Sequence, residues 1–164
     1  MVIEKEQLIS DTVLIRCSKL KKNINGYIHH YIKDKYEGKC YENGYIIPDS
    51  LNIISRSAGK ITIIDGESFI KYEITYQVKS IIPSIGDIYD CKIENITKMG
   101  IVGYLDYNSC TMENSPILFI IPNQYFGNKE FDAKDLHKTI QVKILDIRIK
   151  FMQTQIQIVA ELVS

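Results

Sequence analysis

The sequence predicts an α+β protein, in which one helix packs on a small antiparallel sheet and a five-stranded barrel follows. Three observations support this prediction. Leu20 to Ile32 has the 3.6-residue apolar spacing of an amphipathic helix. Most of the remaining chain alternates apolar and polar residues with the two-residue period of strands. Pro83 to Asp87 is a turn-rich break between two such regions. We therefore predict two domains, residues 1–83 and residues 84–164.

The first domain is expected to begin with a strand over Asp11 to Cys17. Ser18 then stands where a helix N-cap is expected, since its hydroxyl can accept a hydrogen bond from the first helical turn. Asn43-Gly44 and Asp65-Gly66 are pairs typical of tight hairpin turns. The second turn leads into a long alternating strand, Ser68 to Ile82, which is expected to be half-buried.

The second domain is expected to consist of five strands. Their predicted ranges are Ile88 to Thr97, Ile101 to Leu105, Ile117 to Ile121, Ile140 to Phe151 and Gln153 to Val163. A polar stretch, Phe126 to Thr139, separates the third strand from the final hairpin. Five strands with a long break after the third have the size and order of an OB-fold barrel, although a small sandwich gives a similar pattern.

The charge balance and the pattern of apolar residues argue against two kinds of partner, duplex DNA and membranes. The 164 residues include 20 basic and 20 acidic ones, so the formal net charge is zero. A protein that coats the phosphates of duplex DNA needs a large positive excess. No apolar stretch has the length of a membrane span, and Met1 to Ser10 does not have the pattern of a secretory signal. We therefore expect no membrane contact.

The residues that usually mark metal sites and catalytic sites do not occur in the required patterns. The cysteines are far apart in sequence: Cys17, Cys40, Cys91 and Cys110. Zinc sites usually pair two ligands on one tight turn. No nucleophile elbow, phosphate-binding loop or zinc-protease motif occurs either, and Asp106, Asp132 and Asp135 are typical of solvated turns. We expect no metal, no cofactor and no catalytic residue, hence no enzymatic activity of the chain itself.

An OB barrel binds single strands by stacking bases on aromatic side chains of its second and third strands, with basic side chains along the phosphates. If Leu118 and Ile120 point inward, Phe119 points outward beside Tyr104. The resulting RNA-binding candidates are Lys92, Lys98, Val102, Tyr104, Phe119, Arg148 and Lys150. In the alternative interpretation, Phe119 closes the barrel or packs against the first domain.

Several short motifs occur in an order that resembles one known family. Glu37 to Ile47 has the pattern E-G-x-C-x-x-x-G-Y-I-I, and Ile70-Lys71-Tyr72 follows in a strand. Ile85 to Asp90 then leads into the barrel, and Met99-Gly100-Ile101 supplies a glycine turn. From about Thr12 to Ser164, this order resembles the stalk subunit of multisubunit RNA polymerases. That family includes the seventh subunit of eukaryotic polymerase II, its archaeal counterpart and poxvirus relatives.

The resemblance implies a non-catalytic subunit of a DNA-dependent RNA polymerase. Its first domain would have a truncated RNA-recognition-like fold, whose tip loop docks on the large core subunits. The matching positions here are Leu51, Asn52, Ile53, Ile54, Arg56 and Lys60. The OB-fold domain would contact nascent single-stranded RNA weakly, and a small helical partner like the fourth subunit would bind along the seam between the domains.

The resemblance also implies a location and leaves two rivals. The protein would act at the site of transcription, which is the virion and the cytoplasmic factory of a virus or the nucleus of a eukaryotic cell. A composition rich in Ile, Lys, Asn and Tyr follows from AT-rich codons and suits a large DNA virus. The main rival is a free single-stranded nucleic-acid-binding OB-fold protein outside the polymerase. A third hypothesis is an enzyme that uses the barrel as a substrate platform.

Overall fold

A computed structural model describes residues 4–20, 23–42, 44–127 and 129–163. Its described residues divide into two compact units. One unit contains residues 5–37 and 46–80, which we call the sheet unit. The other contains Glu4 and the segments 38–45 and 81–163, which we call the barrel unit. The predicted α+β class is confirmed, because the described residues form one α-helix, an antiparallel sheet and a closed five-stranded barrel.

The helix and the strands are named in chain order. The helix is α1 (Ile24–Tyr36), and the strands are β1 (Glu4–Arg16), β2 (Cys40–Tyr41), β3 (Gly44–Ile46), β4 (Asn52–Arg56), β5 (Lys60–Ile64), β6 (Glu67–Ile81), β7 (Ile88–Ile96), β8 (Gly100–Tyr104), β9 (Ile117–Pro122), β10 (Thr139–Arg148) and β11 (Ile156–Leu162). Asn43 of the predicted Asn43-Gly44 turn lies outside the described residues. The α1 helix is not long and apolar enough to cross a membrane, and no other α-helix occurs in the described ranges.

The α1 helix begins later than predicted. Ser18 lies in a short 3-10 turn, and the predicted cap at this residue is wrong. The N-cap is Asn23, whose side-chain oxygen accepts the backbone N–H of Gly26 at 3.0 Å and so satisfies one of the free donors of the first turn. The helix buries Ile28, Ile32 and Tyr36, spaced four residues apart on one face, as the 3.6-residue pattern predicts.

The sheet has the strand order β1-β6-β3-β2, and β4 and β5 also pair with β6. The β4 strand pairs with Ile74 to Gln77, and β5 pairs with Glu67 to Lys71. The segment Leu51 to Lys60 is therefore mostly strand, and its prediction as a tip loop is wrong. Only residues 57–59 connect the two strands. The predicted turn at Asp65-Gly66 is confirmed, with both residues at positive φ.

The barrel closes in the order β10-β11-β9-β8-β7, which is an OB-like arrangement. Strands β9 and β11 pair in parallel, while the other pairs are antiparallel. The predicted strand order, with a long break after the third strand, is confirmed. The interior is apolar and includes Cys91, Ile93, Ile101, Phe119, Ile121, Val142, Ile144 and Ile158.

Gly100 allows β8 to start in close contact with β9. Its φ is +152°, and a Cβ at this position would lie 2.2 Å from the backbone oxygen of Ile121. That distance is far below any normal contact, so no larger residue fits without moving the strand. The predicted glycine turn is confirmed, since the backbones of Thr97 and Gly100 exchange hydrogen bonds.

Candidate functional site

One row of outward-facing residues crosses the barrel. Strand registers pair Lys92 with Tyr104, Tyr104 with Leu118, Leu118 with Gln157, and Gln157 with Arg148. Directly paired residues point to the same side of a sheet, so these five share the outer face. Three predicted RNA-binding candidates, Lys92, Tyr104 and Arg148, therefore lie on one row of the outer face.

Phe119 does not belong to this outer row. It is fully buried, and its register partners Gly103 and Ile158 are buried as well. Its ring centroid lies 6.2 Å from that of Tyr89, in a tilted aromatic contact inside the barrel. The predicted outward orientation of Phe119 is wrong, and the alternative that it closes the barrel is confirmed. Leu118 and Ile120 take the outward positions on β9 instead.

Tyr104 faces outward but is only 5% exposed. A base needs a free ring face for stacking, and a covered ring does not provide one. Val102 lies half-buried one position along the strand pair, opposite Ile120. The predicted stacking pair of Tyr104 and Phe119 therefore offers no accessible aromatic face in this structure.

The basic candidates differ in exposure and in whether an acidic side chain pairs with them. Lys92 Nζ lies 4.0 Å from Oδ2 of Asp106, and this ion pair offsets part of its charge. Lys98 is exposed in the turn before Gly100, where its carbonyl accepts a hydrogen bond from Asn123 Nδ2 at 2.9 Å. Within the described ranges, Arg148 and Lys150 form no ion pair and are exposed.

Arg148 and Lys150 line a small polar cavity of about 110 Å3, beside the turn that joins β10 and β11. The other lining residues are Gln153, Thr154, Gln155 and Gln157. The two cations are among the predicted RNA-binding candidates, whereas the three glutamines and Thr154 are not. We call this set the β10–β11 pocket. The lining is polar and carries two positive charges, so its chemistry suits an anion.

The predicted docking residues are only partly accessible. Leu51 is 8% exposed, and its backbone N–H donates to Glu37 Oε1 at 3.2 Å. Its role as an exposed apolar anchor is therefore contradicted. Ile53 is half-buried opposite Tyr76, whereas Ile54, at the β-bulge of β4, is 52% exposed.

The polar residues predicted for docking, which are Asn52, Arg56 and Lys60, are all exposed. Of these, Arg56 has a second role within the sheet unit, because its guanidinium carbon lies 5.1 Å from the ring centroid of Tyr72. Arg56 therefore has a defined position near the start of the β4–β5 connection.

The most exposed aliphatic residues of the sheet unit are not among the predicted docking residues. Ile61 is 76% exposed and Ile63 is 71% exposed. Both point to the same side of β5, where Ile61 is opposite Ile70 in β6. We call Ile61, Ile63 and Ile70 the isoleucine face. The sequence Lys60 to Ile64 indicates a half-buried strand but carries no signal for whether its apolar side is covered.

Two thiols and two carboxylates that could support catalysis are either buried or hydrogen-bonded to the backbone. Burial raises the pKa of Cys40 to about 11 and that of Cys91 to about 12, so both thiols remain protonated near neutral pH. Asp132 Oδ1 accepts the backbone N–H of Lys134, and Asp135 Oδ2 accepts that of Asp132, which forms a capping box. Within the described ranges, no three His, Cys, Asp or Glu residues group as metal ligands would.

Compared with models of known protein families and with curated proteins, the chain matches none of them.

Proposed function

We propose that this protein is a non-catalytic stalk subunit of a DNA-dependent RNA polymerase. On this proposal, the sheet unit has a truncated RNA-recognition-like fold and docks on the large core subunits. The barrel is an OB fold that contacts nascent RNA near its exit path. The order of the motifs between Glu37 and Ile101 supports the family, and the isoleucine face is the single observation that carries the docking role.

Exposed isoleucines are costly for a protein that has no partner. Burying one such side chain stabilises a complex by roughly 1.5–3 kcal/mol, and a few anchors of this kind dominate most interfaces. Ile61 and Ile63 lie two residues apart on one side of β5, so a single apolar pocket in a partner can cover both. Arg56 and Lys60 supply exposed charges nearby in the chain. The proposed docking site therefore extends from Ile54 to Ile63 and no longer depends on Leu51.

The RNA contact is proposed to be weak and mainly electrostatic. No aromatic ring of the predicted pair is free to stack, and the formal net charge is zero. Among the predicted basic candidates, Lys98, Arg148 and Lys150 form no ion pair within the described residues, whereas Lys92 pairs with Asp106. A small number of phosphate contacts gives modest affinity and a shallow dependence on salt.

The docking role can be tested by co-purification from the natural source of the protein. A tagged Ile61→Asp, Ile63→Asp variant should fold, because both side chains are exposed, but should lose the two largest polymerase subunits. Two carboxylates in a desolvated pocket are strongly unfavourable. Met99→Asp is the matched control, since Met99 is 81% exposed in the β7–β8 turn.

The control variant should retain both subunits. If the isoleucine variant also retains them, docking through this face is disproved. If the wild-type protein is recovered with RNA and without polymerase subunits, the rival function of a free single-stranded nucleic-acid-binding protein is supported. The unpaired cations of the β10–β11 pocket are the observation that favours that rival.

A further inference from the structure

The β10–β11 pocket combines two positive charges with neutral hydrogen-bonding groups. Arg148 and Gln157 are direct partners across the two strands, and both point outward from the barrel. Among the described residues that line the cavity, none carries a carboxylate. An anion that enters the cavity therefore meets guanidinium, ammonium, amide and hydroxyl donors, and meets no like charge from the lining.

The nearest acidic side chain on the same strand is already engaged. Asp146 precedes Arg148 by two residues and also lies on the outer side of β10. Its Oδ1 accepts the backbone N–H of Ile147 at 2.9 Å. It is not part of the cavity lining, and within the described residues it forms no ion pair with Arg148 or Lys150.

The turn that carries the pocket is held in place by backbone pairing. The N–H of Met152 donates to Cys40 O at 2.9 Å, and the N–H of Cys40 donates to Gln153 O at 2.7 Å. The rings of Tyr41 and Phe151 pack beside them with centroids 5.7 Å apart. A turn fixed in this way loses little further conformational entropy when a ligand binds.

We propose that the β10–β11 pocket binds one phosphodiester group of a single-stranded nucleic acid, which deepens the proposed RNA contact and rests on it. Arginine can hold two phosphate oxygens at once, and lysine adds a point charge. Pockets for whole small molecules occupy roughly 300–1,000 Å3. A cavity of about 110 Å3 suits one phosphate group better than a nucleoside with its base.

Binding through one phosphate has two measurable consequences. The contact reads neither the base nor the 2′-hydroxyl, so single-stranded RNA and DNA of equal length should bind equally. The logarithm of the affinity should also fall with the logarithm of salt concentration with a slope of only about 0.7 from this contact, since each neutralised phosphate of a single strand contributes about 0.7.

The test measures the affinity of the purified full chain for a labelled twelve-residue oligouridylate by fluorescence anisotropy. The variant is Arg148→Gln, Lys150→Gln. The control is Lys134→Gln, Lys143→Gln, which removes the same charge from exposed barrel positions outside the pocket. We expect an affinity loss of about tenfold and a shallower salt slope for the pocket variant, with less than a twofold loss for the control.

Three results would overturn the proposal. Equal losses in the two variants would mean that net charge alone determines binding. Unchanged RNA affinity, together with loss of inorganic phosphate binding by calorimetry, would mean that the pocket takes a free anion. A large preference for RNA over DNA would mean that the strand is read elsewhere. The pocket variant should still co-purify with polymerase subunits, so failure here is distinguishable from failure of the docking role.

Discussion

Strands β9 and β5 are both rich in isoleucine but differ in how much of it they bury. In β9, Ile117, Phe119 and Ile121 are fully buried. In β5, Ile61 and Ile63 are largely exposed. The β9 strand has a partner on each edge, β8 and β11, and the barrel closes around its inner face. The β5 strand pairs with β6 alone among the described strands. Burial of an isoleucine therefore depends on whether its sheet closes around it, and the exposed pair in β5 is the surface that we propose for docking.

The largest effect is expected for truncation of the aromatic side chain inside the barrel. Phe119→Ala should lower the free energy of unfolding by about 3–5 kcal/mol, because it leaves a cavity in a closed core. Urea denaturation followed by circular dichroism measures this change. Phe151→Ala is the control, since Phe151 is 61% exposed, and should cost under about 1 kcal/mol. Similar losses for both would contradict the inward position of Phe119.

Two glycines, Gly100 beside β9 and Gly66 in the turn after β5, allow a second comparison of how tightly the two strands are packed. Gly100→Ala adds a Cβ at 2.2 Å from Ile121 O, whereas a Cβ at Gly66 meets no atom within 4 Å. Both glycines have positive φ, so each substitution carries backbone strain of roughly 1–2 kcal/mol. Gly100→Ala should cost at least about 1 kcal/mol more than Gly66→Ala in urea unfolding. An equal cost would show that β8 and β9 can separate easily at this point.

The smallest effect on stability is expected at the isoleucine face. Ile61→Ala with Ile63→Ala should change the free energy of unfolding by no more than about 0.5 kcal/mol per residue, because neither side chain is in the core. A loss near that of Phe119→Ala would mean that both side chains are packed in the free protein. The unfolding curve, measured beside that of the wild type, decides between the two outcomes.

The fold was predictable where the sequence has a clear period. The spacing of Ile28 and Ile32 identifies the helix, and the strands of the barrel follow from alternation and from the polar break before Thr139. The orientation of β9 was not predictable, because Ile117 to Ile121 is apolar at every position. Alternation then gives no sign of which residues face inward, and only pairing with β8 and β11 decides it.

The candidate sites were less predictable, since they depend on contacts between distant segments. Leu51 is buried although it lies beside turn residues, and the structure of β4 depends on pairing with β6 about twenty residues later. The turn that carries Gln153 of the β10–β11 pocket is hydrogen-bonded to Cys40, which lies in a distant part of the sequence. Sequence patterns report local periodicity, and contacts between distant segments do not change that periodicity.

The pairing of Cys40 with Met152 and Gln153 also has a consequence for synthesis of the chain. At typical rates of about 5–20 residues per second, Cys40 leaves the ribosome several seconds before its partners do. During that interval, β2 can pair with β3 through Cys40 and Tyr45, but its other edge has no strand to bind. Because β2 is only two residues long, this open edge offers little template for pairing with another chain. The backbone groups of Cys40 that face the last hairpin therefore stay solvent-exposed until that hairpin emerges.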